Sequence, residues 1–221
     1  MRINEYGRSM VELLGVLSIL FFLTVGGILG YTKAMRQHRA NEVINQATLI
    51  SANLRTVYVS QSSYRGLDNQ VAFDLNVFPE DMINEVMFHN HTFDLSTLHN
   101  VYRGSVRVAE SFRNTPGDGG AFVMSFYGIE REGCMAIATS DWGNGSLSGL
   151  MGMHIMGNPE TEDNDDVADN MIEGNISRLE YGQAVLIPSD SRINLPLTVA
   201  QARYVCSCVT YPTCAITWKY F

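Results

Sequence analysis

The stretch that decides the fold is GRSMVELLGVLSILFFLTVGGILGYTKAM, residues 7–35. From Ser9 to Thr32 its only charged side chain is Glu12, and from Leu13 to Thr32 there is none. An uncharged helix of about 20 residues spans the hydrocarbon core of a bilayer. A carboxylate inside such a span is expensive unless it lies near the interface or meets a cation. Glu12 therefore expects one or the other. Gly7 lies five residues before it, at the head of the apolar run. Two other readings compete, a buried core helix and a cleaved secretory signal. The signal requires a basic first region, an apolar stretch of about 7–15 residues and a small-x-small cleavage site. Here the apolar run is longer and the flank MRINEYG carries one Arg and one Glu. The segment that follows, Ala34-Met-Arg-Gln-His-Arg39, is no cleavage site.

Beyond this run no Pro or Gly occurs between Lys33 and Tyr58. Apolar residues fall at Ala40, Val43, Ala47, Ile50, Leu54, Val57 and Tyr58, in steps of three and four that define one face of an amphipathic helix. The pattern predicts one helix from about Ser9 to about Tyr58, about 75 Å long at 1.5 Å per residue. Its first half is apolar all round, and its second half offers one face to a globular core. Gly26, Gly27 and Gly30 interrupt the first half, and glycine costs a helix about 1 kcal/mol relative to Ala. Two readings stand for them: close helix packing in the bilayer, or a locally meltable segment.

The remaining chain alternates short strands and helices. Ser60 to Gly66 ends the long helix. Phe78-Pro79-Glu80-Asp81-Met82 reads as a short helix with Pro at its first position and acids in its first turn. Val101 to Val108 alternates loosely and suggests a strand, and Thr115 to Gly120 is a turn. Ala121 to Tyr127 is apolar on both faces, as a central strand is. Glu130 to Thr139 reads as a helix carrying Cys134, and Leu150 to Met156 as another strand. Thr198-x-x-Gln201 is a capping box opening a helix to about Val205, and Ile216 to Phe221 is a last strand. With no repeat and no long linker, residues 61–221 form one α+β domain.

The net charge of −8 is unevenly placed. Residues 8–61 carry five Lys/Arg against two acids, and residues 62–221 carry nine against twenty. Lys33, Arg36 and Arg39 follow the apolar run, where anionic headgroups or a partner's acidic face would meet them. An acidic C-terminal part speaks against a nucleic-acid partner. No catalytic constellation is found: Gly145-Ser-Leu-Ser-Gly149 places Leu147 at the nucleophile position. There is no phosphate loop and no dinucleotide fingerprint, so no cofactor is expected. The loop containing Glu160, Glu162, Asp163, Asp165, Asp166 and Asp169 is a solvated acidic loop or a calcium site. For calcium, Asp163, Asp165 and Asp166 are the candidates, although EF-hand spacing is lacking. His89, His91 and His99 read as surface residues rather than ligands. Cys134, Cys206, Cys208 and Cys214 form an even set that reads as disulfides in an exported domain. Cys206 and Cys208 are too close to pair comfortably. A zinc site lacks a second CxxC and a nearby His.

Residues 7–35 resemble the N-terminal class III signal of type IV prepilins and pseudopilins: Gly, four residues, then Glu, at the head of the apolar run. The segments FPEDMINEV, NVYRGSVRV, GCMAIATSDWG, LTVAQARYVCSC and ITWKYF are similar to type IVb thin-pilus pilins of conjugation systems. The resemblance implies a type IV pilin fold of the α+β class, a long N-terminal helix packed on a globular domain with an antiparallel sheet. It divides the chain into a cleaved leader (1–7), an apolar helix half (8–32), an amphipathic half (33–60) and a head (61–221). It implies cleavage by a prepilin peptidase after Gly7 and N-methylation of Arg8. Glu12 then pairs with a neighbour's N-terminal amine in the fibre, and Gly26, Gly27 and Gly30 let the helix loosen as it packs. The family's disulfide matches Cys134–Cys206, which leaves Cys208–Cys214; the alternative joins Cys134 to Cys208 and Cys206 to Cys214. The implied partners are identical or related pilin subunits, the peptidase, the inner-membrane assembly machinery and, before assembly, the lipid bilayer. The implied location is the inner membrane with a periplasmic head, then an extracellular pilus serving adhesion or conjugative contact. A minor pilin or type II secretion pseudopilin is the neighbouring reading. A signal-anchored periplasmic binding domain that does not polymerise is the remote one. Arg8 departs from the apolar residue usual at that position, and its guanidinium lies one helix turn from Glu12.

Overall fold

The computed structural model describes residues 10–83, 98–143, 148–157, 178–180, 183–186, 195–208 and 212–221, with backbone pairing alone for 178–180 and 183–186. The chain divides into two units, Met1–His38 and Arg39–Phe221. Helix α1 runs from Met10 to Val57 without a break, as a stretch with no Pro should. In the second unit its buried positions are Ala40, Val43, Gln46, Ala47, Ile50, Ser51 and Leu54. This is the face the three-and-four spacing marks out. The helix closes in a turn where Gln61 N–H donates to the Tyr58 carbonyl at 2.9 Å.

Helix α2 (Asn69–Asp74) is capped by Asp68, whose carboxylate accepts from Val71 N–H at 2.8 Å. The next turn is a 3₁₀ segment, Glu80–Met82. Pro79 stands before this segment and not at its first position, so that expectation is corrected: Pro79 has extended backbone (ψ 145), outside the helical range. The expected acids, Glu80 and Asp81, do occupy the first turn.

The sheet comprises β1 (Val106–Ser111), β2 (Ala121–Ile129), β3 (Leu150–Gly157), β4 (Arg178–Glu180), β5 (Gln183–Leu186) and β6 (Cys214–Tyr220). Their order is β1-β2-β6-β3-β5-β4, every pair antiparallel. The last strand in sequence is thus central, and all seven of its residues are buried. Phe122, Met124 and Phe126 of β2 and Ile216, Trp218 and Tyr220 of β6 share one core with Val43, Ala47, Ile50 and Leu54 of α1. Each Val, Leu, Ile, Phe or Met among them contributes about 1.5–3 kcal/mol on burial. Ser125, Thr217 and His154 are register neighbours across β2, β6 and β3 and are also buried. Ser125 and Thr217 share a hydroxyl hydrogen bond of 2.8 Å.

The strand expected from Val101 begins later, at Val106. Residues 100–104 form a turn around Asn100, whose amide donates to the Tyr127 carbonyl at 2.7 Å and accepts from Tyr102 N–H at 2.8 Å. Gly104 lies so close to the Tyr127 carbonyl that any Cβ would overlap it. The outer edge of β1 is closed by Asn69, whose side chain donates to Val106 O at 3.0 Å and accepts from Val108 N–H. Glu110 N–H donates to Leu67 O at 2.8 Å on the same edge. An edge so occupied offers no free ladder to another chain.

Helix α3 (Arg131–Ala138) carries Cys134, and α4 (Val199–Val205) opens on the expected capping box. There Thr198 N–H donates to Gln201 Oε1 at 3.0 Å, and Gln201 N–H donates to Thr198 Oγ1 at 3.3 Å.

Candidate assembly site

In the first unit the apolar side chains of α1 are exposed. Phe22 is 74% and Leu23 67% exposed. This is the one helix among the described residues long and apolar enough to cross a membrane, and no part of its apolar span is buried. Its hydroxyls are compatible with such surroundings. Ser18 donates to Leu14 O at 2.8 Å, Thr24 to Leu20 O at 2.7 Å and Thr32 to Leu29 O at 3.0 Å. Bonding back to the preceding turn leaves no hydroxyl proton of these three unmet in hydrocarbon.

Glu12 occupies the first described turn of α1 and is exposed. The unpaired N–H groups of a helix's first turn favour an anion there. Gly7 and Arg8 lie outside the described residues, as do the calcium candidates Asp163, Asp165 and Asp166, and His89 and His91. Gly26, Gly27 and Gly30 are helical, and a Cβ built on any of them meets nothing within 4 Å. Among the described residues no packing requires glycine at these places.

The three cations after the apolar run separate. Arg39 reaches Glu130 at 3.3 Å, a pair about 40% exposed on each side, and its guanidinium stands 5.9 Å from the Tyr102 ring. Burial, then the Glu130 charge, pushes the Tyr102 phenol up to about 12. Lys33 and Arg36 are exposed. Among the described residues no group of His, Cys, Asp and Glu is placed to hold a metal ion.

Two disulfides join Cys134 to Cys206 and Cys208 to Cys214, with Cα separations of 5.8 and 5.5 Å. All four half-cystines are buried. Together they link α3, the end of α4 and the start of β6. Two titratable groups stood out in the structure alone. His154 is 3% exposed, its Nδ1 has no hydrogen-bond partner among the described residues, and burial lowers its pKa to about 4. Its only sequence signal is a lone His in the apolar run LMGMHIMG. Asp118 accepts from the backbone N–H groups of Asn114, Gly120, Arg113 and Thr115, which hold its carboxyl well below the usual range.

Residues 37–209, most of the head and the amphipathic helix, match the family model described as PilS N terminal. The chain belongs to the PilS family. PilS membership agrees with two further likenesses. The chain is 22% identical over 153 residues to the major structural subunit of bundle-forming pilus of Escherichia coli O127:H6, covering 69% of this chain and 72% of that one. It is 21% identical over 139 residues to the same subunit of Escherichia coli O111:H-, covering 63% and 66%. In three dimensions it is similar to TcpA, a type IV pilin from Vibrio cholerae El Tor biotype. The TM-score is 0.53 at 14% identity, over 85% of this chain and 99% of that one. The last likeness shows the fold: a long N-terminal helix and an antiparallel sheet, as the resemblance had implied.

Proposed function

We infer that this PilS-family chain is a structural subunit of a type IV pilus. The observation that carries the reading is the first half of α1, a helix apolar all round whose single carboxylate, Glu12, sits in its first described turn. The relatives named as major structural subunits of a pilus support a fibre role over that of a monomeric anchor. The precursor inserts in the inner membrane with its head on the periplasmic side. A prepilin peptidase cuts after Gly7, and the new amine on Arg8 is methylated. The assembly machinery then moves the helix out of the bilayer into the fibre core. There Glu12 meets the N-terminal amine of a neighbour, since a buried carboxylate is stable only beside a buried cation. Gly26, Gly27 and Gly30, free of packing duties within the chain, allow close helix approach or local loosening between subunits. The fibre serves adhesion or conjugative cell contact.

Replacing Glu12 by Ala tests this. Removing one partner of a buried ion pair costs about 3–5 kcal/mol, so surface filaments should fall about 100-fold or more. Membrane insertion and the mass of the processed chain, starting at Arg8 with one added methyl group, should stay unchanged. Filaments at the normal level from Glu12→Ala would falsify the pairing.

A further inference from the structure

Cys206 and Cys208 lie two residues apart, yet they reach different elements: Cys206 binds Cys134 in α3, and Cys208 binds Cys214 at the start of β6. The chain between them is at most roughly 7 Å long. In an unfolded chain both thiols therefore compete for Cys134 on equal terms. The loop closed by Cys134–Cys206 spans a separation of 72 residues, and the wrong bridge to Cys208 would add two. Loop-closure entropy cannot tell these apart. It strongly favours Cys208–Cys214, whose separation is 6. A three-halves power of loop length makes that closure roughly 40-fold more probable than the long one. Length separates it from Cys206–Cys214 by only about 1.5-fold. Local backbone supplies the rest: Cys206 caps α4, and Cys208 takes a left-handed conformation with φ 45. That conformation is unfavourable for a residue with a Cβ and turns the chain sharply between the two sulfurs.

We propose that Cys208–Cys214 is a guard disulfide. It forms first and withdraws Cys208, so that Cys134 and Cys206 are the only thiols left to form the long bridge. The proposal stands apart from fibre assembly and holds for the monomer. In the guarding step the Cys208 thiolate attacks one sulfur of a disulfide-bearing oxidoreductase and forms a mixed disulfide. The Cys214 thiolate then attacks the Cys208 sulfur. The oxidoreductase leaves as a dithiol, carrying the two electrons and two protons. In the unguarded error the free Cys208 thiolate attacks the Cys134 sulfur of a finished Cys134–Cys206 bond. The Cys134–Cys208 bond forms, the Cys134–Cys206 bond breaks, and Cys206 leaves as a thiolate, with no external oxidant.

The prediction is non-additive: losing Cys214 alone does more harm than losing Cys208 and Cys214 together. The full chain is extracted from membranes with thiols blocked, and its bridges are mapped by mass spectrometry of unreduced peptides. The double variant C208S/C214S should carry Cys134–Cys206 throughout. C214S should split between Cys134–Cys206 and Cys134–Cys208, with at least a twofold lower yield of correctly bridged chain than the double variant. A C214S chain bridged only at Cys134–Cys206, or a double variant with the lower yield, overturns the proposal. Should neither variant accumulate, the natural full chain decides, reduced in denaturant and reoxidised with glutathione disulfide under timed alkylation. Chains carrying Cys208–Cys214 with Cys134 and Cys206 still alkylated should appear first. Chains bridged at Cys134–Cys206 with Cys208 and Cys214 alkylated as the earliest species overturn it.

Discussion

Leu13, Leu17, Leu20 and Phe21 stand exposed on the first half of α1, while Val43, Ala47, Ile50 and Leu54 on its second half are fully buried. One continuous helix thus carries two kinds of apolar surface. The second kind is satisfied inside the chain, by strands β2 and β6. The first stands exposed, and in the proposed function lipid and then other subunits cover it. The difference teaches where to expect a stability effect and where to expect an assembly effect from the same substitution.

Leu54→Ala should break the fold most strongly, costing about 2–5 kcal/mol through lost burial and a cavity. Leu20→Ala should leave the head within about 0.5 kcal/mol of its natural stability. Guanidinium unfolding of the full chain in detergent, followed by tryptophan fluorescence, separates them. Both tryptophans, Trp142 and Trp218, lie buried in the second unit and report on it alone.

Acid should act on the head through His154. Below pH 6.5 the unfolded chain protonates this imidazole, while the folded one keeps it neutral until about pH 4. The unfolded state then binds more protons, so stability falls as pH drops from 6.5 to 4 and is unaffected above 6.5. The loss should reach about 3 kcal/mol at 1.36 kcal/mol per pH unit. In His154→Gln this part of the pH dependence should vanish from the unfolding midpoints measured across that range.

Asn69→Ala comes next, at about 1–3 kcal/mol for two backbone groups of Val106 and Val108 left without their partner. It should also free the β1 edge for pairing with other chains, seen as concentration-dependent light scattering by the head variant at neutral pH. The smallest effect belongs to Glu130→Gln. Its pair with Arg39 is half-exposed, and such pairs contribute about 1 kcal/mol or less. Its unfolding midpoint should barely move, and adding salt should erase the difference.

What the sequence made legible follows from the same division. The exposed half of α1 was plain because a membrane-length run tolerates no charge without a reason, which singled out Glu12. The buried half was plain because its spacing has no Gly or Pro to interrupt it. Strand β2 was readable as central from apolar residues on both faces. The turn at 100–104 was not readable, because Gly104 serves a close backbone approach to Tyr127 that only the folded pair creates. Helix α2 was missed for a similar reason. It has six residues, and its purpose lies in the Asn69 side chain standing in for a strand. Strands β4 and β5 have three and four residues, too short to show a period. His154 passed unremarked because burial, and not any motif, makes it unusual.

The place of β6 has a consequence for how the head is made. Strand β6 joins β2 to β3, and among the described residues no other strand connects those two parts of the sheet. Synthesis proceeds from the N-terminus at about 5–20 residues per second. Without residues 214–220, the inner edges of β2 and β3 have no strand to pair with in this sheet. The sheet therefore stays open until β6 has been made. It closes only when β6 takes its place between β2 and β3.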